Sequence, residues 1–251
     1  MKKRFFILIM IFLAVVNLSA QSDLLKQANE AYTKNDFQTA ADMYEKLLKD
    51  NGESATVYYN LGNCYYKLNK VAPSILNYER ALLLEPGNSD IRFNLEIAKL
   101  KTVDKIEPIG NFFLTEWLRD IQNLLSTNAW SYLSIVCFVL LIVCLFIFFF
   151  ARLTIIKKLA FYFGAGFLVI VIFGNIFAYN QKQRLAQRNE AIIFAPTTTI
   201  KSSPDNSGTD LFILHEGTKV KLKNNKLVNW NEIVTADGNV GWIINSEFEV
   251  I

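Results

Sequence analysis

The sequence predicts a multidomain membrane protein with an all-α repeat domain, two transmembrane helices and a small all-β barrel. Three observations support this fold class. A 34-residue period relates residues 21–54 to residues 55–88. Two long apolar runs follow, at residues 135–151 and 159–179. From residue 190 onward, short alternating runs are separated by turn-forming residues. These patterns are typical of paired repeat helices, of membrane spans and of small antiparallel strands, respectively.

Residues 1–20 predict a secretory signal peptide. They begin with three basic residues, continue with an apolar stretch over residues 5–16, and end with the small residues Ser19 and Ala20. The apolar stretch is shorter than the roughly 20 residues that cross a bilayer, as is typical of signal peptides. We therefore expect cleavage after Ala20 and export of the chain that follows.

The two apolar runs predict transmembrane helices at residues 131–151 and 159–179. The loop between them, residues 152–158, contains three basic residues and no acidic residue. Because positively charged loops stay in the cytoplasm, this loop predicts a cytoplasmic turn. The signal peptide and the loop give the same topology, with residues 21–130 and residues 180–251 in the periplasm. The expected location is the inner membrane, with membrane lipid as a partner.

The net charge of +3 is distributed unevenly along the chain. Residues 22–107 carry 11 basic and 13 acidic side chains, and residues 190–251 carry 5 basic and 8 acidic side chains. The basic excess therefore lies in or beside the apolar segments, where anionic lipid attracts lysine and arginine. Both other regions are mildly acidic, which is not the charge pattern of a nucleic-acid-binding protein. No nucleic-acid partner is expected.

An amphipathic helix is predicted over residues 111–128, just before the first span. Its apolar residues recur at helical spacing and are Phe113, Trp117, Ile121, Leu124 and Leu125. Its polar residues are Glu116, Arg119, Asp120 and Gln122. This pattern is typical of a helix that lies on a membrane surface. A helix that packs one face against an ordinary protein core has the same pattern, and the sequence leaves that alternative open.

The 34-residue period divides residues 21–107 into two repeats, residues 21–54 and 55–88, and a capping helix at residues 89–101. Matching positions in the two repeats are Ala28 and Gly62, Ala40 and Ser74, Tyr44 and Tyr78, and Leu47 and Ala81. The second repeat contains the stretch YYNLGNCYYKL, followed by Tyr78, Ala81 and Pro86. With small residues where helices meet and aromatic residues between them, this period resembles the tetratricopeptide repeat.

The resemblance to tetratricopeptide repeats implies a concave groove that binds peptides or partner helices. Carrying over the groove positions of the family gives Asn29, Tyr32, Tyr59, Asn63, Tyr66, Lys67 and Phe93. An alternative for Tyr59 and Tyr66 is that they only pack against neighbouring helices. Some family members hold the terminal carboxylate of a peptide with lysine and arginine side chains. This chain has Leu25, Asp90 and Asn94 at those positions, so the resemblance does not extend to that binding mode.

Residues 190–251 resemble a bacterial SH3-like domain. The resemblance rests on the order of the stretches AIIFAPTTTIKSSPD, LFILHEGTKVKL, WNEIV and ADGNVGWI. It implies a barrel in which Gly217 opens a strand, Gly238 turns a hairpin and Trp242 fills the core. Barrels of this family bind peptides or cell-wall material.

The sequence contains no recognisable constellation of catalytic residues. His215 is the single histidine, and no serine or cysteine motif accompanies it. Cys64 is the single cysteine outside the apolar runs, and its position on a repeat helix predicts that it is buried. Neither metal-ligand spacing nor a disulfide framework is present. We therefore expect a non-enzymatic protein that uses no metal or other cofactor.

The order of these parts resembles the BatE family of the Bacteroidetes aerotolerance operon over nearly the whole mature chain. The segments TVDKIEP and STNAW, between the repeats and the spans, contribute to this resemblance. It implies an inner-membrane scaffold or adaptor that works in the periplasm within a Bat complex. The implied partners are membrane proteins with von Willebrand A domains and, indirectly, a MoxR-type ATPase. A cell-wall sensor that binds peptidoglycan through its barrel is the alternative function.

Overall fold

The structure, a computed structural model, describes residues 23–107, 109–110, 112–227 and 229–251. The predicted signal peptide, residues 1–20, lies outside the described residues. The chain divides into two compact units. The repeat-sheet unit contains the described residues up to Leu82, together with Asn88–Ile109 and Asn189–Ile251. The hairpin unit contains Leu83–Gly87 and the described residues of Gly110–Arg188.

The repeats form two helix pairs and one further helix. The helices are α1 (residues 23–33), α2 (Phe37–Asn51), α3 (Ala55–Lys67), α4 (Val71–Leu84) and α5 (Ser89–Lys99). Helix α4 begins 34 residues after α2, and α5 begins 34 residues after α3. The sequence period is therefore reproduced in the spacing of the helices.

The turn inside each helix pair has the same backbone conformation. Asn35 and Asn69, 34 residues apart, adopt left-handed conformations with φ of 61° and 57°. Asparagine tolerates this conformation better than most residues, and it commonly ends helices. Just after these residues, the amide of Asp36 donates to the carbonyl of Ala31 at 3.0 Å, and the amide of Lys70 donates to that of Tyr65 at 2.9 Å. Identical turns give both helix pairs the same local geometry.

Small residues let the paired helices approach closely. The first pair and α3 share a core formed by Ala28, Ala40, Ala41, Tyr44, Leu47, Val57, Leu61 and Cys64. In the second pair, a Cβ atom on Gly62 would lie 2.7 Å from the ring of Tyr78. The hydroxyl of Ser74 also donates to the carbonyl of Gly62 at 2.9 Å. A larger residue at position 62 would therefore push α3 and α4 apart.

The hairpin unit consists of α6 (Phe113–Gln122), α7 (Thr127–Phe150) and α8 (Thr154–Gln187). Helices α7 and α8 are the two helices in the described part of the chain that are long and apolar enough to cross a membrane. They pack on each other where side chains are small: a Cβ atom on Gly164 would lie 3.4 Å from Cβ of Cys144. Helix α6 ends at Gln122, and Ser126 caps α7 by accepting from the amide of Ala129, so the two helices are separate.

Residues 190–251 form a seven-stranded antiparallel sheet. Its strands are β1 (Glu190–Ile193), β2 (Thr197–Lys201), β3 (Asp210–His215), β4 (Lys219–Lys226), β5 (Trp230–Val234), β6 (Val240–Ile244) and β7 (Phe248–Val250). Their order in the sheet is β3-β2-β6-β5-β4-β1-β7. The buried face is mostly aliphatic and includes Ala191, Ile193, Ile200, Leu214, Val220, Leu222, Ile233 and Ile243.

Two details of the sheet could not be inferred from the strand pattern. The expectation that Trp242 fills the core is wrong, because Gly241 and Ile243 occupy the buried face of β6 and Trp242 points to the other side. Successive side chains of a strand face opposite sides of a sheet, so one face excludes the other. Ile106, from the segment after the repeats, packs against the sheet core instead. The core of the sheet is thus completed from outside residues 190–251.

Candidate partner-binding groove

A hydrogen-bonded pair of tyrosine and asparagine occurs once in each repeat. The Tyr44 hydroxyl donates to Oδ1 of Asn29 at 2.6 Å, and the Tyr78 hydroxyl donates to Oδ1 of Asn63 at 2.7 Å. The Asn63 oxygen accepts a second bond from Nδ2 of Asn94 at 2.9 Å. Because a carbonyl oxygen has two lone pairs, Asn63 is then left with its amide NH₂ to offer a ligand.

Tyr78, Asn63 and Asn94 border a cavity of about 280 Å³ that is lined by residues of α1, α3, α4 and α5. Its lining residues are Tyr32, Tyr59, Asn63, Tyr66, Lys67, Tyr78, Asn94 and Ile97. Five of the seven groove residues expected from the sequence therefore line one cavity. Its size is close to the lower end of the range of small-ligand pockets. An extended peptide could fill it with one or two side chains.

The other two expected groove residues lie elsewhere. Asn29 is exposed and is held by Tyr44, outside the cavity lining. Phe93 is 65% exposed and does not line the cavity. Three lining residues, Tyr78, Asn94 and Ile97, were not among the expected groove residues. The 34-residue register of the Tyr–Asn pairs could have identified Tyr78, whereas Asn94 lies outside that register.

The groove offers neutral donors and positive charge. Burial raises the pKa of Tyr78 above its usual value, so its hydroxyl keeps its proton and donates at neutral pH. Lys67 is exposed at the edge of the cavity, and Nζ of Lys101 lies 4.1 Å from the ring centroid of Tyr66. Amide and hydroxyl donors beside ammonium groups suit a peptide backbone with a nearby carboxylate.

Reactive or metal-binding groups are scarce in the described residues. Cys64 is completely buried, and burial raises the pKa of its thiol to about 12. A thiol with this pKa is almost entirely protonated at neutral pH, which makes it a poor nucleophile. Among the residues that the structure describes, no group of three His, Cys, Asp or Glu side chains could hold a metal ion.

The repeats are joined to the sheet through an ionic contact at α4, which we call the joint. Glu79, 8% exposed, accepts a hydrogen bond from Lys219 of β4 at 2.9 Å and lies 3.5 Å from Nζ of Lys99. Lys219 also lies 2.8 Å from Glu190 of β1. Burial alone would raise the pKa of Glu79, but the ammonium groups of Lys219 and Lys99 hold this pKa below its usual value.

Arg80 and Asp104 extend the joint on either side of Glu79. The Arg80 guanidinium donates to Glu249 at 2.9 Å and to the carbonyl of Val250 at 2.6 Å. Asp104 accepts from the amide of His215 at 2.7 Å and from the hydroxyl of Thr218 at 2.6 Å. Burial alone would raise the pKa of Asp104, but these bonds hold it below its usual value.

A glycine makes close contact possible at the joint. Gly217, between β3 and β4, has a φ of 85°, and a Cβ atom there would lie 2.7 Å from Cγ2 of Thr102 and 3.1 Å from Cδ1 of Ile75. The turn therefore needs glycine both for its backbone conformation and for space.

Comparison with known proteins supports the interpretation of the helices. A family profile described as tetratricopeptide repeat matches residues 25–91. Searching the curated proteins gave no match to the chain. Residues 25–91 therefore contain tetratricopeptide repeats, and repeats of this class suggest a role in protein–protein interaction.

Proposed function

We propose that the protein is a non-enzymatic scaffold, anchored in the inner membrane by α7 and α8, that binds partner proteins through its repeat groove. The observation that carries the proposal is the cavity in which Tyr59, Asn63 and Lys67 come together. Its side chains offer hydrogen-bond donors, aromatic surface and positive charge without a reactive group. Such a site suits the binding of a peptide rather than its chemical conversion.

The joint supports placing the repeats and the sheet on the same side of the membrane. Glu79 precedes α7 and α8 in the chain, and Lys219 follows them, yet the two side chains are in contact. A chain segment that crosses the membrane between them must cross an even number of times, and two spanning helices meet this requirement. The basic residues within 152–158, at the turn between α7 and α8 and the start of α8, favour the periplasm as the shared side, as does the expected signal peptide.

The seven-stranded sheet fits the expected SH3-like domain, and the order of all the parts fits a BatE-like protein. On this basis, we propose that the scaffold works in an aerotolerance complex. Its proposed partners are membrane proteins with von Willebrand A domains, and a MoxR-type ATPase would be linked to it indirectly. Because the groove edge carries Lys67, we expect the bound segment to be extended and to contain an acidic side chain.

Site-specific photo-crosslinking in native membranes tests the groove. A crosslinking amino acid is placed at Lys67, and in a matched variant at Lys70, which is equally on the surface but lies outside the cavity lining. We expect position 67 to capture a von Willebrand A protein and position 70 to capture much less. Equal capture at both positions, or recovery of peptidoglycan fragments alone, would contradict the proposal.

A charge reversal gives an independent readout. Lys67→Glu should weaken co-purification of the partner from gently solubilised membranes, because the acidic segment would meet a like charge. Lys70→Glu introduces the same charge outside the cavity and should leave co-purification unchanged. If both variants retain the partner equally, the groove is not the binding site.

A further inference from the structure

Helix α6 has one apolar side that no other described part of the hairpin unit covers. Phe113, Leu114, Trp117 and Leu118 fall on one arc of the helix and are all exposed, with Trp117 at 58%. Gln122 is the single buried residue of the helix in the described structure. An exposed apolar arc of this length is unusual on a surface that faces only water.

The C-terminal end of α6 is held by a buried side chain of α8. Nε2 of Gln181, 5% exposed, donates to the carbonyls of Gln122 and Leu125 at 2.8 and 2.9 Å. Its Oε1 accepts from the hydroxyl of Thr127 at 3.1 Å. The indole N–H of Trp130 donates to the Gln122 carbonyl as well, at 2.9 Å. We call this group of five residues the corner.

The corner satisfies backbone groups that water usually satisfies. The last carbonyls of a helix have no partner within the helix, and at a solvated surface they bond to water. Here the buried side chains of Gln181 and Trp130 both donate to the carbonyl of Gln122, the last residue of α6. This arrangement is needed where water is scarce, because an unpaired carbonyl costs several kcal/mol in an apolar medium.

The exposed apolar surface continues from α6 onto α7. Leu124, in the turn between the helices, is exposed, and so are Tyr132 and Ile135 on the first turns of α7. The same kind of surface then covers most of α7 and α8, the helices long and apolar enough to cross a membrane. One occupant, a lipid bilayer, can cover this whole surface without a separate partner for α6.

We propose that α6 lies in the headgroup region of the membrane with its apolar arc in lipid, and that Gln181 is the positioning residue that fixes it there. This inference rests on the proposed membrane insertion of α7 and α8. Between Phe113 and Gln122 the helix carries two acidic residues and one basic residue, Arg119. Its contact with lipid is therefore apolar in origin and does not depend on anionic headgroups.

Nitroxide accessibility of the full chain in phosphatidylcholine nanodiscs tests the orientation of α6. The three native cysteines are replaced by alanine, and single labels are placed at Leu114→Cys on the apolar arc or Glu116→Cys on the polar arc. We expect the label at 114 to collide mainly with oxygen and the label at 116 mainly with a water-soluble nickel complex. Raising the salt concentration should not change either result.

Two outcomes would overturn the proposal. Nickel access at both positions means that α6 stands in water, and poor access of both reagents at 114 means that protein covers it. A third label at Val139→Cys, on the exposed surface of α7, separates this failure from a failure of membrane insertion. Suppose that the label at position 139 is reached by oxygen alone, while the label at position 114 is reached by nickel or by neither reagent. In that case α7 is inserted in the membrane, and only the inference about α6 is lost.

The role of Gln181 needs its own pair of variants. Gln181→Leu removes the Nε2 donor to the carbonyls of Gln122 and Leu125 but keeps the bond from Trp130 to Gln122. We expect it to abolish the difference between the labels at 114 and 116. Gln183→Leu is the matched control, since Gln183 is two residues further along α8, is half-buried, and bonds to Tyr179 of the same helix. If the difference survives in Gln181→Leu, Gln181 does not position the helix.

Discussion

Glu79 of α4 and Lys219 of β4 form an ion pair of 2.9 Å although 140 residues separate them in the chain. Removing the lysine leaves a buried carboxylate with Lys99 as its remaining cation. We therefore expect Lys219→Met to destabilise the joint by up to about 3 kcal/mol. Hydrogen exchange of the α4 and β4 amides in the detergent-solubilised chain measures this loss.

The double variant Glu79→Met with Lys219→Met distinguishes the pair from simple loss of packing. It removes both charges at once, so it should recover most of the stability lost in Lys219→Met. Lys221→Met, two residues along the same strand and exposed, is the control and should have little effect. If the single and the double variant lose the same amount of stability, the ion pair does not stabilise the joint.

Gly217→Ala should weaken the joint beyond the cost of an unfavourable backbone conformation. Gly52→Ala is the matched control, because Gly52 has a φ of 82° but a Cβ atom added to it would have nothing within 4 Å. The control should lose about 1–3 kcal/mol, because the φ of 82° and ψ of −166° of Gly52 define a backbone conformation that is used almost only by glycine. Gly217→Ala should lose about 1–3 kcal/mol more through its clash with Thr102 and Ile75. Thermal unfolding of the two variants measures the difference.

Asp104 should make the stability of the repeat-sheet unit depend on pH. Its folded pKa is below its unfolded value, near 4, so its stabilisation is complete above that value and is lost as the pH falls through the folded pKa. Asp104→Asn should therefore lower stability at pH 7 and show a shallower decline below about pH 4. Thermal unfolding from pH 7 to pH 3 tests both expectations. If the unfolding temperatures of the native protein and of Asp104→Asn fall in parallel with pH, Asp104 does not cause the pH dependence.

The thiol of Cys64 should be unreactive in the folded protein. With its thiol buried and its pKa raised to about 12, iodoacetamide at pH 8 should modify it only after unfolding. Mass spectrometry of the folded and the urea-treated chain measures the modification. Cys64→Ala should also leave partner binding intact. Rapid labelling of the folded chain would instead favour a redox role.

The helical repeats could be predicted because their evidence is local. The 34-residue period, the small residues at positions 28 and 62, and the match of the tetratricopeptide profile all describe the same helices. Most of the groove is what the resemblance to tetratricopeptide repeats implies, with the groove positions of the family carried over to this chain. Asn94 is not among them, because its role depends on the two bonds that it makes to Tyr59 and Asn63 across the groove.

The joint could not be predicted, because it depends on contacts between distant parts of the chain. Glu79 belongs to no recognisable motif, and the segment TVDKIEP that contains Asp104 does not indicate what this side chain contacts. Each gains its role from residues more than 100 positions away in the chain. The resemblance to an SH3-like domain implies that Trp242 fills the core, which is wrong, and the strand pattern could not correct it because alternation does not say which face of a strand is covered. That choice depends on neighbours such as Ile200, which approaches Gly241 closely.

The position of Ile106 affects how the protein can be made and divided. This side chain is synthesised before α7 and α8, but it packs into a sheet whose strands are synthesised after them. During synthesis, Ile106 therefore stays uncovered until the strands of the sheet have been made. A gene fragment that starts at residue 190 would encode a sheet whose core lacks the Ile106 side chain that packs against it, and recombinant versions should carry residues 102–109 as well.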